Sequence, residues 1–385
     1  MQGKAQDATA IGLMSDFAER TGLTGGEQRR YLWTDAFAVR NYLALFRMTG
    51  DERYRVLATD LVDAVHHVLG RHRPDDPRDG WLSGLPEAEG ARHPTRGGLR
   101  IGKPLPERAP EEPEDERLEW DRDGQYFHYL TKWMDALAAA ASVLRKPDYH
   151  RQAVELAEAV LPRFLRRSPR GAPVGLAWKM SVDLSRPLVR GTSPHDALDG
   201  YVTLRQLAQR RPEGAPAPRE GEGEGEGVDV LRELASDGQW ATADPLGLGG
   251  LLLDAVRLAW LPHLVPADQR ILRDVLAGAD AGVRHVAVTG ALGGPASRRL
   301  AFRELGLAIG LQALPAIAVA AGSLSARDAL DAHLQSLSTH AGLGDQILEF
   351  WSDARQRDQP LWREHRDINE VMLATALLRV FAQKH

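Results

Sequence analysis

Carboxylates and histidines carry the chemistry open to this chain. Read as one helix, residues 120–133 set Asp121, Gln125, His128 and Lys132 on one side, by steps of four, three and four residues. A second polar stripe, His195, Asp199, Thr203 and Gln206, follows Ser193-Pro194. Serine then proline is a ready-made N-cap and first-turn pair, which relieves Asp196 of capping. Trp33 and Asp35, with Asn41 further along, form a third group, and Asp367 and Glu370 share a face by i, i+3 spacing. A polar stripe on an apolar helix must meet water, a cavity or a polar partner. Burying an unpaired neutral group costs roughly 1–3 kcal/mol, and a charge more. General acid–base catalysis is the chemistry such groups perform. The alternative roles are structural: Asp121 or Asp123 as a helix cap, His128 as a satisfied core residue, Trp33 as core. Asp244 and Glu304 head helices that continue almost wholly apolar, so capping is expected of both.

Absences narrow the field. The chain has no cysteine, which removes disulfides, thiolate metal sites and a cysteine nucleophile. It has no His-Glu-x-x-His zinc motif, EF-hand loop, Gly-x-Ser-x-Gly elbow or Walker A sequence. No metal and no cofactor are therefore expected. A net charge of −5 over 385 residues supplies no basic field for nucleic acid and no polybasic membrane patch. The first twenty residues lack the pattern of a signal peptide, and the most apolar stretch, Leu305 to Ala321, is short and contains Pro315. A soluble cytoplasmic protein with no nucleic-acid or membrane partner is expected; its oligomeric state is left open.

The elements that must position these residues are helices, for helical periodicity dominates and alternating strand patterns are scarce. Six times an acidic residue opens an Ala/Leu-rich stretch, at Asp35, Asp121 to Gly124, Asp196, Asp244, Glu304 and Asp367, roughly 50 to 90 residues apart. More charged, amphipathic helices lie between, giving about twelve helices in an inner and an outer layer. One helix is expected over Trp33 to Met48, stopped by Gly50; another from about Asp123 to Leu144; others over Pro194 to Gln209 and Arg299 to Ala321. Two insertions break the rhythm. Residues 72–119 exceed an ordinary connection, and Arg96, Arg100 and Lys103 within them either engage an anionic group or lie solvated on a structured loop. Residues 212–227, with their Gly-Glu repeat, read as a flexible loop. Helices of one type continue on both sides, so a single domain over 1–385 is expected.

The segments Tyr31-Leu32-Trp33-Thr34-Asp35, Glu119 to His128 and Ser193 to Tyr201 resemble inner-helix starts of the six-hairpin glycosidase-like superfamily. The resemblance implies an all-α (α/α)6 toroid of six helical hairpins, with a long insertion loop over one end. In that superfamily the inner-helix N-termini line a funnel that binds sugars. The resemblance therefore implies a glycoside hydrolase-like enzyme on a small soluble saccharide or glycoconjugate, with Asp123 and Asp196 as the carboxylate pair and Asp35 and Glu370 as substitutes. Trp33, Trp120, Asp121, Gln125, Tyr126, His128, His195, Asp199, Arg100 and Lys103 are the expected substrate-binding residues. Two other readings stand beside it: a sugar epimerase or isomerase using His128 and His195, and a non-catalytic carbohydrate-binding or scaffold protein.

Overall fold

The computed structural model describes residues 2–209, 225–322 and 327–382. Most of the expected loop 212–227 lies outside the described residues. The chain divides into two compact units, one spanning Ala18–Ala235, the other formed by the segment up to Phe17 with Ser236 onward.

Helix α1 spans Gln2–Arg20. Then α2 (Leu32–Thr49) runs almost wholly buried and ends at Gly50, whose φ of 68° is the left-handed turn a glycine C-cap supplies. The side chain of Asp51 accepts from the Arg53 N–H and starts α3 (Glu52–Leu69). That helix buries one face, Tyr54, Ala58, Leu61, Val65 and Leu69, against α2. The insertion contributes two short helices, α4 (Glu87–Arg92) and α5 (Glu116–Glu119). A two-residue strand β1 (Gln125–Tyr126) leads into α6 (Phe127–Leu144), followed by α7 (Pro147–Phe164), β2 (Leu165–Arg167), β3 (Pro173–Leu176), β4 (Lys179–Met180), α8 (Pro194–Gln209) and α9 (Glu226–Ser236). Helix α6 packs on α2, α7 and α8, so three helix starts are held beside one another.

The start of α6 differs from its sequence reading. It lies four residues after Asp123 because Gly124 has φ 149°, a conformation denied to L side chains. A Cβ there would meet the Met180 carbonyl oxygen at 2.7 Å. Gln125 and Tyr126 are extended and pair antiparallel with Met180 and Lys179. Asp121 and Gln125 therefore are not on the helix that carries His128 and Lys132.

The other unit contains α10 (Pro245–Ala259), α11 (Pro266–Thr289), α12 (Ala301–Gln312), α13 (Leu314–Ala321), α14 (Arg327–Thr339), α15 (Gly342–Ser352), α16 (Ala354–Arg357), α17 (Pro360–Glu364) and α18 (Arg366–Leu377). The buried α10 and α12 cross closely through glycines: a Cβ on Gly249 would lie 2.0 Å from the Gly306 carbonyl oxygen. Helix α11 packs on α10, and α15 and α18 on α12. The stretch expected as one helix over Arg299 to Ala321 is two, divided ahead of Pro315, where a proline fits the first turn of a new helix. By length and composition it could cross a membrane, yet most of it is buried among its neighbours.

Candidate functional site

The starts of α2, α6 and α8 converge within the unit spanning Ala18–Ala235. The hydroxyls of Tyr31 and Tyr129 are hydrogen bonded at 2.6 Å, and Trp33 lies 6.5 Å from Tyr129 between ring centroids. Tyr129 is tilted against Tyr126 at 5.2 Å and edge-on to His128 at 4.8 Å, while Tyr126 stacks on His128 at 5.3 Å. These aromatic groups come from two helix starts and the short strand β1, whose pairing with β4 sets Tyr126 in place.

Within this cluster His128 faces Asp196. The two side chains, one from α6 and one from α8, approach to 3.5 Å between Nδ1 and Oδ2. Asp196 is buried, whereas 30% of the His128 side chain is open to solvent. Among the described residues neither Nδ1 nor Oδ2 has a hydrogen-bond partner, and both atoms are enclosed, so the contact between them is an electrostatic one. The exposed part of the imidazole is consequently the part away from Nδ1. A carboxylate behind one ring nitrogen orients the ring while the other edge is left to a reactant. His195, beside Asp196 in sequence, is half-buried.

One turn further along, Asp199 is closed off. Lys132 Nζ lies 2.9 Å from its Oδ2, and the Thr131 hydroxyl donates to the same oxygen. The pair satisfies the stripes of α6 and α8 against each other, as a buried charge requires.

Several expected site residues hold the insertion loop instead. Asp123 is fully buried; one carboxylate oxygen receives Arg100, and the other receives the N–H groups of Gly102, Lys103 and Gly124. Arg100 also donates to the carbonyls of Arg71 and Val68, each at 2.7 Å. A carboxylate so held, with no exposed surface, is closed off from solvent and from a reactant. The amide of Gln125 is likewise spent, accepting from Leu99 N–H at 2.9 Å and donating to the carbonyls of Gly97 and Val182. Asp123, Arg100 and Gln125 are thus clamps on residues 72–119. The same loop is pinned by Arg78, which binds Asp76 and Glu107 and holds the Asp76 carboxyl down to about 2.

Asp35 is buried at the start of α2, where it accepts from the Tyr31 N–H at 2.9 Å and pairs with Arg30 at 3.5 Å. It fastens the turn that presents Tyr31 and Trp33. In the other unit Glu370 is buried and bonded by Arg366 at 2.7 Å. There Asp244 caps α10 through the Gly247 N–H, as expected. Glu304 is no cap: its carboxylate takes both arms of Arg299 and the indole N–H of Trp351.

Sequence reasoning did not single out Tyr31 and Tyr129, which the structure brings into the cluster around His128. The run Tyr126-Phe127-His128-Tyr129 offered a signal, since four aromatic rings at a helix start exceed what one buried face takes up. Lys103 reaches the cluster from the insertion, its Nζ 5.4 Å from the Tyr31 ring centroid. Lys179 Nζ is buried 5.7 Å from the Tyr126 ring and donates to the carbonyls of Glu119 and Arg122 and to the Glu119 carboxylate. Burial pushes this lysine below its usual range, while burial pushes the Tyr126 hydroxyl up. Asp121 is exposed on the loop, next to Trp120. Among the described residues no cluster of histidines and carboxylates has a geometry to hold a metal ion.

No family model and no curated protein sequence matches the chain. Among solved structures, an alpha-1,6-mannanase from a Salegentibacter species is similar over 98% of both chains, at 12% identity and a TM-score of 0.51. A cellobiose 2-epimerase from Spirochaeta thermophila is similar over 95% of this chain and 97% of its own, at 13% identity and a TM-score of 0.48. The similarity to the mannanase, which extends over nearly the whole length of both chains, shows the (α/α)6 toroid fold.

Proposed function

We propose that the chain is a carbohydrate-active enzyme whose proton-transfer centre is His128 backed by Asp196, acting on a soluble saccharide. The observation that carries this is the partly exposed imidazole held at 3.5 Å from a buried carboxylate, beside Tyr31, Trp33, Tyr126 and Tyr129. Aromatic faces suit the apolar C–H faces of sugar rings. The fold shared with a mannanase supports the substrate class.

A lone histidine–carboxylate pair favours proton abstraction next to the carbonyl of an open-chain sugar, hence epimerisation or isomerisation. His128 takes the proton, and the carbon–hydrogen electron pair moves toward the carbonyl oxygen. Asp196 stabilises the imidazolium, and reprotonation by His128 or by His195 completes the turnover. Glycoside hydrolysis is the second reading, favoured by Asp196 Oδ2, which receives no hydrogen-bond donor among the described residues. There Asp196 would protonate the leaving oxygen, and a second carboxylate would activate water.

The test is incubation with mono- and oligosaccharides in heavy water, followed by NMR and reducing-end assay. Deuterium at the carbon beside the carbonyl, without new reducing ends, is expected. New reducing ends without exchange would replace the first reading by the second, and the absence of both across a broad panel would refute the proposal.

A further inference from the structure

Trp120 is the only aromatic residue among the exposed large hydrophobic side chains of the described chain, with 54% of its surface in water. Its backbone is nonetheless held firmly. Lys179 Nζ ties down the carbonyls of Glu119 at 2.7 Å and Arg122 at 2.8 Å, on either side of it. Asp121 is fixed through its N–H to Leu118 and through its carbonyl by the Leu105 N–H. The Trp120 ring meets Trp178 edge-to-face, with centroids 5.7 Å apart and planes at 86°. A T-shaped contact covers at most one face of an indole, so at least one face of Trp120 is not taken up by Trp178.

An indole left in water is unfavourable, and a rigid one has already lost the freedom that a ligand would otherwise have to remove. The pair is also continuous with the site above. Trp178 directly precedes Lys179, whose partner across the β1–β4 ladder is Tyr126, and Tyr126 stacks on His128. The polar side chains of Asp121 and Arg122 stand next to Trp120 in the chain, suited to the rim hydroxyls of a stacked sugar.

We infer that Trp120, backed by Trp178, is a sugar-stacking subsite separate from the His128–Asp196 centre, and that the substrate is an oligosaccharide rather than a monosaccharide. The inference rests on the carbohydrate reading given above. Successive sugar rings of one chain would meet the open edge of His128 and the apolar face of Trp120 together.

Calorimetric titration tests it, using manno-, cello-, malto- and xylo-oligosaccharides of one to six units. The intact chain, Trp120→Ala and Trp120→Phe are compared, with circular dichroism and melting confirming that all three fold. Wild type is expected to bind one series more tightly as length increases. Trp120→Ala should reduce that gain with length by about tenfold, and Trp120→Phe by less. If the gain with length survives intact in Trp120→Ala, or wild type binds short sugars without any gain, the subsite is overturned while the carbohydrate reading stands. If wild type binds no saccharide of any length, the carbohydrate reading falls, and the subsite with it.

Discussion

His128 and Asp196 belong to different helices, yet Nδ1 and Oδ2 stand 3.5 Å apart, each enclosed and without a hydrogen-bond partner among the described residues. The partnership exists because α6 packs on α8 with their starts level, one turn above the Lys132–Asp199 ion pair that fixes the register of the two helices. The imidazole is thereby set beside a buried carboxylate that the packing of α6 on α8 holds in place.

His128→Ala is expected to lower turnover by about 10²- to 10⁴-fold, the usual contribution of a positioned acid or base. Asp196→Asn should lower it by less in an epimerase or isomerase, because it removes only orientation and charge support. In a hydrolase the order reverses. Rates of both variants on one substrate, with melting curves as a control, decide between them; wild-type rates in both would remove the dyad from catalysis.

Arg100 is expected to stabilise the fold by neutralising Asp123. Arg100→Met leaves a fully buried carboxylate without its guanidinium and should cost about 3–5 kcal/mol. Limited proteolysis should then cut within residues 72–119, where wild type resists. The double variant Arg100→Met with Asp123→Leu should recover much of the loss, since an apolar pair replaces a buried ionic one. Unchanged urea midpoints in the single variant would show that the clamp contributes nothing.

His66 gives a pH dependence with a definite sign. Burial pushes its pKa down to about 3, and its Nε2 accepts the Trp133 indole N–H at 3.2 Å. Below about pH 6.5 the unfolded chain takes up a proton that the native chain refuses, so stability is lost as pH falls toward 3. The slope approaches roughly 1.4 kcal/mol per pH unit from this residue alone. His66→Gln removes the titrating group, and the difference in urea midpoint between the two proteins should change steadily between pH 7 and pH 4. Parallel curves over that range would contradict the assignment.

Two neighbouring glycines of α10 should behave oppositely. Gly249→Ala drives a methyl group into the Gly306 carbonyl oxygen, and separating α10 from α12 should cost several kcal/mol. Gly250→Ala meets nothing within 4 Å and should stabilise the helix by roughly 0.5–1 kcal/mol. Thermal melts of both variants check the contrast.

Helix positions were legible wherever local chemistry and packing agree. Gly50 and Asp51 mark the junction of α2 and α3 in the sequence and in the structure alike, because a left-handed glycine stop and an aspartate cap act within a few residues. Ser193-Pro194 likewise places α8. The acidic helix openings were legible as positions but not as roles. Asp123 reads as a cap or catalyst and is a clamp, because Arg100, 23 residues earlier, arrives only when the insertion folds back.

The alternation of apolar and amphipathic helices, set by side-chain periodicity, determined an all-α double-layered architecture from the sequence by itself. Tertiary structure decided which carboxylates are spent on structure and which remains beside a histidine. A carboxylate's role depends on the donors around it, and those donors come from residues that only folding brings within hydrogen-bonding distance.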